Sequence, residues 1–296
     1  MWTRYWKLRK RCSACGAAAR AWPGAFALAI VAVLRLTTAE AIAQARDLPV
    51  DLELVIAVDV SGSIDAEEAR LQRNGYVGAF SDREVIGAIT GGMLGKIAVT
   101  YIEWAGIHYS RTIVDWTVVD GEPSALAFAE KVAKAPIQTE LWTSISMAIE
   151  FALPKFAGNG IEGTRRVIDI SGDGPNNQGG LVTTFRDKAI AAGVTINGLP
   201  IVNDKPSPWG WPPLPDLDLY YAHCVIGGVG AFYVVANTFN DFARAVRKKL
   251  LLEIAGHEPH RDRPERIFKA AANDPARKPP PCDIGERRVH WLLEER

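Results

Sequence analysis

Leu54-Val-Ile-Ala-Val-Asp59-Val-Ser61-Gly-Ser63-Ile-Asp65 is an apolar run that ends in one carboxylate and two hydroxyls at alternate positions. Leu54 to Val58 shows no polar alternation, which is the pattern of a strand covered on both faces of a parallel sheet. Asp59 therefore falls at the strand's carboxyl end. In open α/β sheets that edge binds ligands, because the chain turns there and leaves a crevice between neighbouring loops. Asp65 and Glu68 make a capping box that starts a helix, with Ala69, Tyr76, Val77 and Phe80 as its inner face. The stretch predicts a strand, a polar loop and a helix, with the chemistry carried on the loop.

An Asp-x-Ser-x-Ser loop offers hard oxygen ligands with one formal negative charge. That suits a small divalent cation that keeps some of its waters: magnesium, with manganese or calcium as alternatives. Simple helix capping is the competing reading of such a turn. Two later segments have related form. Val167-Ile-Asp-Ile-Ser-Gly-Asp173-Gly is a second buried strand ending in an aspartate, and Thr143 precedes an apolar helical run, Ser144 to Leu153.

Asp59-Val-Ser61-Gly-Ser63 resembles the first segment of the metal-ion-dependent adhesion site of von Willebrand factor type A domains. That family completes its site with a threonine from a second loop and an aspartate from a third. Thr143, five residues before Ala148 and six before Ile149, and Asp173 match those positions. Two departures stand out: Gly172 replaces the usual threonine before the aspartate, and Leu141-Trp142 stands where glycines usually precede the threonine. Thr139 is a rival ligand. The resemblance covers roughly residues 50–256 and is nearest to bacterial secreted members of unassigned function. It implies a doubly wound, mostly parallel α/β sheet of about six strands with one antiparallel edge strand and helices on both faces. It also implies magnesium held by Asp59, Ser61, Ser63, Thr143 and Asp173, with a coordination position left for an acidic side chain of a protein partner. Two other readings stay open, a metal-assisted hydrolase and a scaffold whose site is empty. The hydrolase reading lacks a histidine or lysine beside the motif to act as general base.

Working outward, Ile97 to Ile102 reads as a strand, and His108 to Trp116 follows it too closely for a crossover helix. It is expected to pair antiparallel as an edge. Gly91-Gly-Met-Leu-Gly95-Lys96 lacks the spacing and the Ser/Thr of a phosphate loop. Asn176-Asn177 either hydrogen-bond Asp173 or its waters, or are turn residues. Helices are expected over 83–90, 122–134, 181–192 and 240–254, and further strands over 195–201 and 231–236. Five prolines and two tryptophans make Asn203 to Pro215 a stiff loop on the metal-site rim. Trp209 and Trp211 are therefore candidate partner contacts, with packing onto the domain as the alternative.

The ends of the chain differ from its middle. Residues 1–43 join a basic region to an apolar segment of about 14 residues and an Ala41-Ile-Ala43 cleavage signal, the form of a secretory leader; an uncleaved anchor is the alternative. The leader holds seven of the 34 Lys and Arg and one of the 34 Asp and Glu, leaving 27 basic against 33 acidic residues and a net charge of −6. That balance excludes a general nucleic-acid binder. Cys224 and Cys282 remain after the leader, and pairing or a buried thiol at Cys224 are both open. Residues 257–296 carry six prolines and seventeen charged residues, too little apolar surface for a core, and are expected to be a mobile tail, with a short helix or docking motif over Val289 to Leu293 as an alternative. Export to the periplasm or medium should leave a chain that begins near Gln44. N-terminal sequencing of the protein from the cell envelope checks this, and an intact Met1 on a cytoplasmic product would refute it.

Overall fold

The computed structural model describes residues 47–203, 206, 212–255 and 277–294. Its strands are β1 (Leu48–Val50), β2 (Leu52–Asp59), β3 (Ile97–Trp104), β4 (Ser110–Val119), β5 (Ile161–Gly163), β6 (Arg166–Gly172) and β7 (Thr195–Pro200). Five of them form a sheet in the order β4-β3-β2-β6-β7, and β1 pairs with β5 alone. β2 lies at the centre, parallel to β3 and β6, while β4 runs antiparallel at the edge as expected. This register sets Asp59 level with Trp104 and one step past Ser171, so the β2 and β6 loops leave the sheet at the same edge.

The helices are α1 (Ala66–Phe80), α2 (Arg83–Thr90), α3 (Glu122–Lys134), α4 (Ile145–Ala152), α5 (Val182–Ala191), α6 (Leu217–Tyr220, with the helical turn continuing through Tyr221–Val225), α7 (Phe242–Ala255) and α8 (Ile284–Glu294). Residues of α1, α2, α3 and α7 pack with Leu54, Ile56 and Val58 on one face of the sheet. Residues of α4, α5 and α6 pack with Val55 and Ala57 on the other. This explains the unbroken apolar run in β2: every residue in it is buried, and alternate side chains enter different cores. Burying each of the larger ones contributes roughly 1.5–3 kcal/mol.

Local chemistry fixes the start of α1. The Asp65 carboxylate accepts from the Glu67 and Glu68 amides at 2.8 and 2.9 Å, and Glu68 returns a bond from the Asp65 amide at 3.0 Å. Ala69, Tyr76 and Phe80 are buried as expected, Val77 is half-buried, and Gln72 and Arg73 are buried as well. Arg73 is accommodated because its guanidinium pairs with buried Glu103 of β3.

The expected sixth strand is only half formed. Residues 232–236 run beside β7, with Gly198 N donating to Phe232 O at 3.1 Å and Val202 N to Ala236 O at 2.8 Å. The donor midway between them would be residue 200, which is proline and has no N–H, so the ladder is interrupted there. Isolated bridges at Gly198–Tyr233 and Ile201–Ala236 result.

The expectation of a mobile C-terminal tail does not hold for residues 277–294. α8 is ordered, and Cys282 is disulfide-bonded to Cys224 with 5.4 Å between the Cα atoms. Composition misleads here because a covalent link and specific polar contacts replace the apolar burial that the segment lacks. Among the described residues no helix is long and apolar enough to cross a membrane.

One face of the sheet buries charge. Lys249 of α7, 1% exposed, pairs with Asp169 of β6 at 2.6 Å and with Glu253. Asn197 Nδ2 donates to Glu253 at 3.1 Å. Burial raises the Asp169 carboxyl to about 7 although Lys249 opposes the shift. Lys249→Met would leave two carboxylates in the core without a cation. It is expected to lower the unfolding free energy by about 3–5 kcal/mol, measured by urea denaturation at neutral pH; a loss below about 1 kcal/mol would show that the network contributes little.

Candidate metal centre

Three loops meet at the carboxyl edge of the sheet. The first, leaving β2, folds back on itself: the Ser61 amide donates to Asp59 Oδ1 at 2.7 Å, and the Ser61 and Ser63 hydroxyls lie 3.1 Å apart. Ser63 then donates to Asp173 Oδ1 at 2.6 Å, across 110 residues of sequence. Asp59, Ser61, Ser63 and Asp173 are thus joined in one chain of contacts, as the strand register requires.

The second loop reaches the same edge through its backbone. Glu140 N donates to Val60 O at 2.9 Å, and Ser144 N to Ala105 O at 2.7 Å. Thr143 is buried and Thr139 is exposed, so of the two candidates only Thr143 is enclosed by the loops. Asn177 ties this loop to the third by both backbone groups of Thr143: its Oδ1 accepts from Thr143 N at 2.8 Å and its own amide donates to Thr143 O at 2.8 Å. Asn176 accepts from Ser146 N at 2.9 Å. Neither asparagine bonds Asp173, the first of the two roles considered for them; they order the backbone around Thr143 instead. Sequence reasoning had no signal for this, because the spacing between Asn177 and Thr143 means nothing until both loops leave the same edge. Trp209 and Trp211 lie outside the described residues.

The departures noted in the sequence have structural causes. A β-carbon at Gly172 would come within 2.7 Å of Asp59 Oδ2 and 2.9 Å of the Tyr221 hydroxyl. A threonine there would collide with the carboxylate it is meant to flank. Trp142 takes up the left-handed backbone, with φ at 69°, a conformation glycine adopts freely and a bulky residue only at a cost of order 1–3 kcal/mol. Trp142 thus occupies a backbone state suited to glycine, and the turn leaves Leu141 56% and Trp142 39% exposed beside Thr143.

The electrostatics decide what the site can do. Asp59 is fully buried, and its carboxyl is raised well above the usual range, first by desolvation and then by Asp173. Desolvation raises Asp173 to about 6 against the opposing bond from Ser63. Asp59 Oδ2 and the Tyr221 hydroxyl, which flank Gly172, are buried without a hydrogen-bond partner. Among the described residues no Lys or Arg pairs with either aspartate. Two such carboxylates beside the Ser61 and Ser63 hydroxyls, with Thr143 buried in the adjoining loop, are a donor set for a hard divalent cation, and the residues present fit one.

The fold is that of von Willebrand factor type A domains. The chain belongs to the family described as protein of unknown function (DUF1194), whose model matches residues 49–258. Among solved structures, proximal thread matrix protein 1 from the mussel byssus with a zinc-occupied MIDAS motif is 14% identical, with a TM-score of 0.52 over 71% of this chain and 49% of that one. A von Willebrand factor type A protein from Catenulispora acidiphila is 13% identical, with a TM-score of 0.51 over 71% of this chain and 44% of that one. The pilus adhesin SpaC from Lactobacillus rhamnosus GG is 12% identical, with a TM-score of 0.50 over 70% and 31%. The chain thus spans less than half the length of each, and at these identities the likeness is one of fold. No curated protein matches the sequence.

The raised carboxyls give a signed pH dependence. In the metal-free protein they bind protons more tightly folded than unfolded: Asp173's contribution to stability is present below about pH 4 and lost as pH rises through about 6, and that of Asp59, shifted in the same direction, is likewise lost on raising the pH. A cation needs them ionised. The rise in unfolding midpoint produced by saturating magnesium is therefore expected to be small at about pH 5 and full at about pH 7.5, measured by thermal scans. A rise independent of pH would place the ion elsewhere.

Proposed function

We propose that this domain binds a protein partner through a divalent cation, magnesium in the first instance, held at the carboxyl edge of the sheet. The observation that carries the reading is the pair Asp59, fully buried, and Asp173, half-buried, at the ends of adjacent strands, with no basic side chain paired to either among the described residues. In this reading the two carboxylates supply the charge, directly or through water, and Ser61, Ser63 and Thr143 supply neutral oxygens. When bound, magnesium supplies a Lewis-acidic centre whose remaining coordination can accept a carboxylate, because it prefers six oxygens and this set is short of protein donors. The partner is accordingly a protein that presents an acidic side chain.

The chain's own residues shape the surroundings of that contact. Ser63 holds Asp173 in place, and Asn177 fixes the backbone of Thr143. Exposed Leu141 and Trp142 offer apolar flanking surface next to it; Trp209 and Trp211 are proposed as further flanking contacts on sequence grounds. The Cys224–Cys282 disulfide supports export, since such bonds persist in oxidising compartments.

Magnesium at a hundred times its dissociation constant should stabilise the wild type by about 2.7 kcal/mol, and Asp59→Ala should abolish most of that gain. A partner captured from the exported fraction, then purified, should bind the wild type calorimetrically in magnesium and lose at least about tenfold in affinity, or about 1.4 kcal/mol, in chelator. Trp142→Gly, which relieves the left-handed backbone, should weaken the same complex without lowering the stability of the domain. Partner affinity indifferent to chelation would defeat the metal bridge.

A further inference from the structure

The third loop of the metal centre is gripped from outside by the end of the chain. Asn176 is fully buried, and besides two longer bonds from its Nδ2 to Gln178 O and Gly180 O of its own loop, at 3.3 and 3.2 Å, its polar groups reach three other elements. Its amide donates to the Tyr220 hydroxyl at 3.1 Å, its Oδ1 accepts from Ser146 of α4 at 2.9 Å, and its Nδ2 donates to Glu286 Oε1 of α8 at 2.7 Å. Gly285 lies so close that a β-carbon there would fall 1.9 Å from Asn176 O. Only glycine permits that approach.

The gripping segment is itself anchored at two points besides α8. Cys282 is bonded covalently to Cys224, and the Tyr220 hydroxyl donates on to Cys282 O at 3.4 Å. Arg277 donates to Asp216 at 2.6 Å and to Asp218 at 2.7 Å, both at the start of α6. Asn177, the next residue in the gripped loop, makes both backbone bonds to Thr143. A continuous path of contacts therefore runs from the disulfide through Glu286, Asn176 and Asn177 to Thr143.

We propose that residues 277–294 are a strap that holds the loops bearing Thr143 and Asp173 in register, with Glu286 as its positioning residue. The physical need is plain: a buried and a half-buried carboxylate repel, the loop between β6 and α5 is held internally only by two bonds longer than 3 Å from Asn176 Nδ2, and Trp142 sits in a costly backbone state. The consequence for cation binding rests on the proposed metal function; the mechanical claim does not.

Hydrogen–deuterium exchange on the full oxidised chain tests the strap in wild type, Glu286→Ala, Glu286→Gln and the double variant Cys224→Ser/Cys282→Ser. Peptides over 141–148 and 172–181 should exchange roughly tenfold faster in Glu286→Ala and in the double variant, the size expected for losing one hydrogen bond to a charged group. β2 and β3 should be unchanged, and Glu286→Gln should resemble wild type because its amide oxygen can accept the same bond. Unchanged exchange in those loops for both Glu286→Ala and the double variant overturns the strap, as does acceleration spread evenly over the sheet in Glu286→Ala. Magnesium affinity, measured calorimetrically on the same proteins, should fall about 10–100-fold in Glu286→Ala and recover in Glu286→Gln. Affinity unchanged while the loops exchange faster would overturn the link to the metal centre. A wild type that takes up no magnesium would overturn the metal function alone, and exchange would still decide the strap.

Discussion

Two carboxylates at the ends of adjacent parallel strands, Asp59 buried and Asp173 half-buried, are the constraint around which this edge of the molecule is built. Parallel pairing of β2 with β6 delivers Asp59 and Asp173 to one edge, and the surrounding fold removes Asp59 fully and Asp173 partly from water. An ionised group taken out of water costs several kcal/mol unless it is paired, which is why both carboxyls are held above their ordinary range. The same strand supplies the contrast. Asp169, four residues earlier in β6, meets Lys249 and belongs to the core, whereas Asp59 and Asp173 meet hydroxyls and each other. A carboxylate neutralised inside the fold holds it together, whereas among the described residues Asp59 and Asp173 have no basic partner.

The loops answer that constraint with little regular structure. Ser61 N and the Ser63 hydroxyl bind one carboxylate each, so the first loop bridges the two acids. Gly172 gives up its side chain so that Asp59 and Tyr221 can occupy the space beside it. Trp142 accepts an unfavourable backbone conformation, and its indole is left partly exposed at the rim. Each departure from the motif of von Willebrand factor type A domains is thus a local exchange of one steric demand for another.

The C-terminal segment follows a different logic from the domain. It buries little apolar surface, and its order comes from a disulfide, ion pairs at Arg277 and the close fit of Gly285 on Asn176. The disulfide and the Arg277 pairs fix the segment to α6, and Gly285 and Glu286 then meet the loop after β6, so the proposed strap links α6 to that loop.

Much of this was readable from the chain alone. The unbroken apolarity of Leu54 to Val58 predicts a strand covered on both faces, and the Asp65–Glu68 box predicts the helix start, because both are local patterns set by periodicity and capping. The candidate residues Asp59, Ser61, Ser63, Thr143 and Asp173 were reachable because the motif lies in short segments at predicted strand ends. What tertiary structure alone decided are relations between residues distant in sequence. Asn177 bonds Thr143 only because two loops leave one edge, and Lys249 neutralises Asp169 only because α7 crosses β6. Pro200 breaks a ladder only because residues 232–236 lie beside it. The 277–294 segment read as a mobile tail because composition measures apolar burial, and the disulfide, ion pairs and glycine contact that order it exist only once Cys224, Asp216 and Asn176 have been brought next to it.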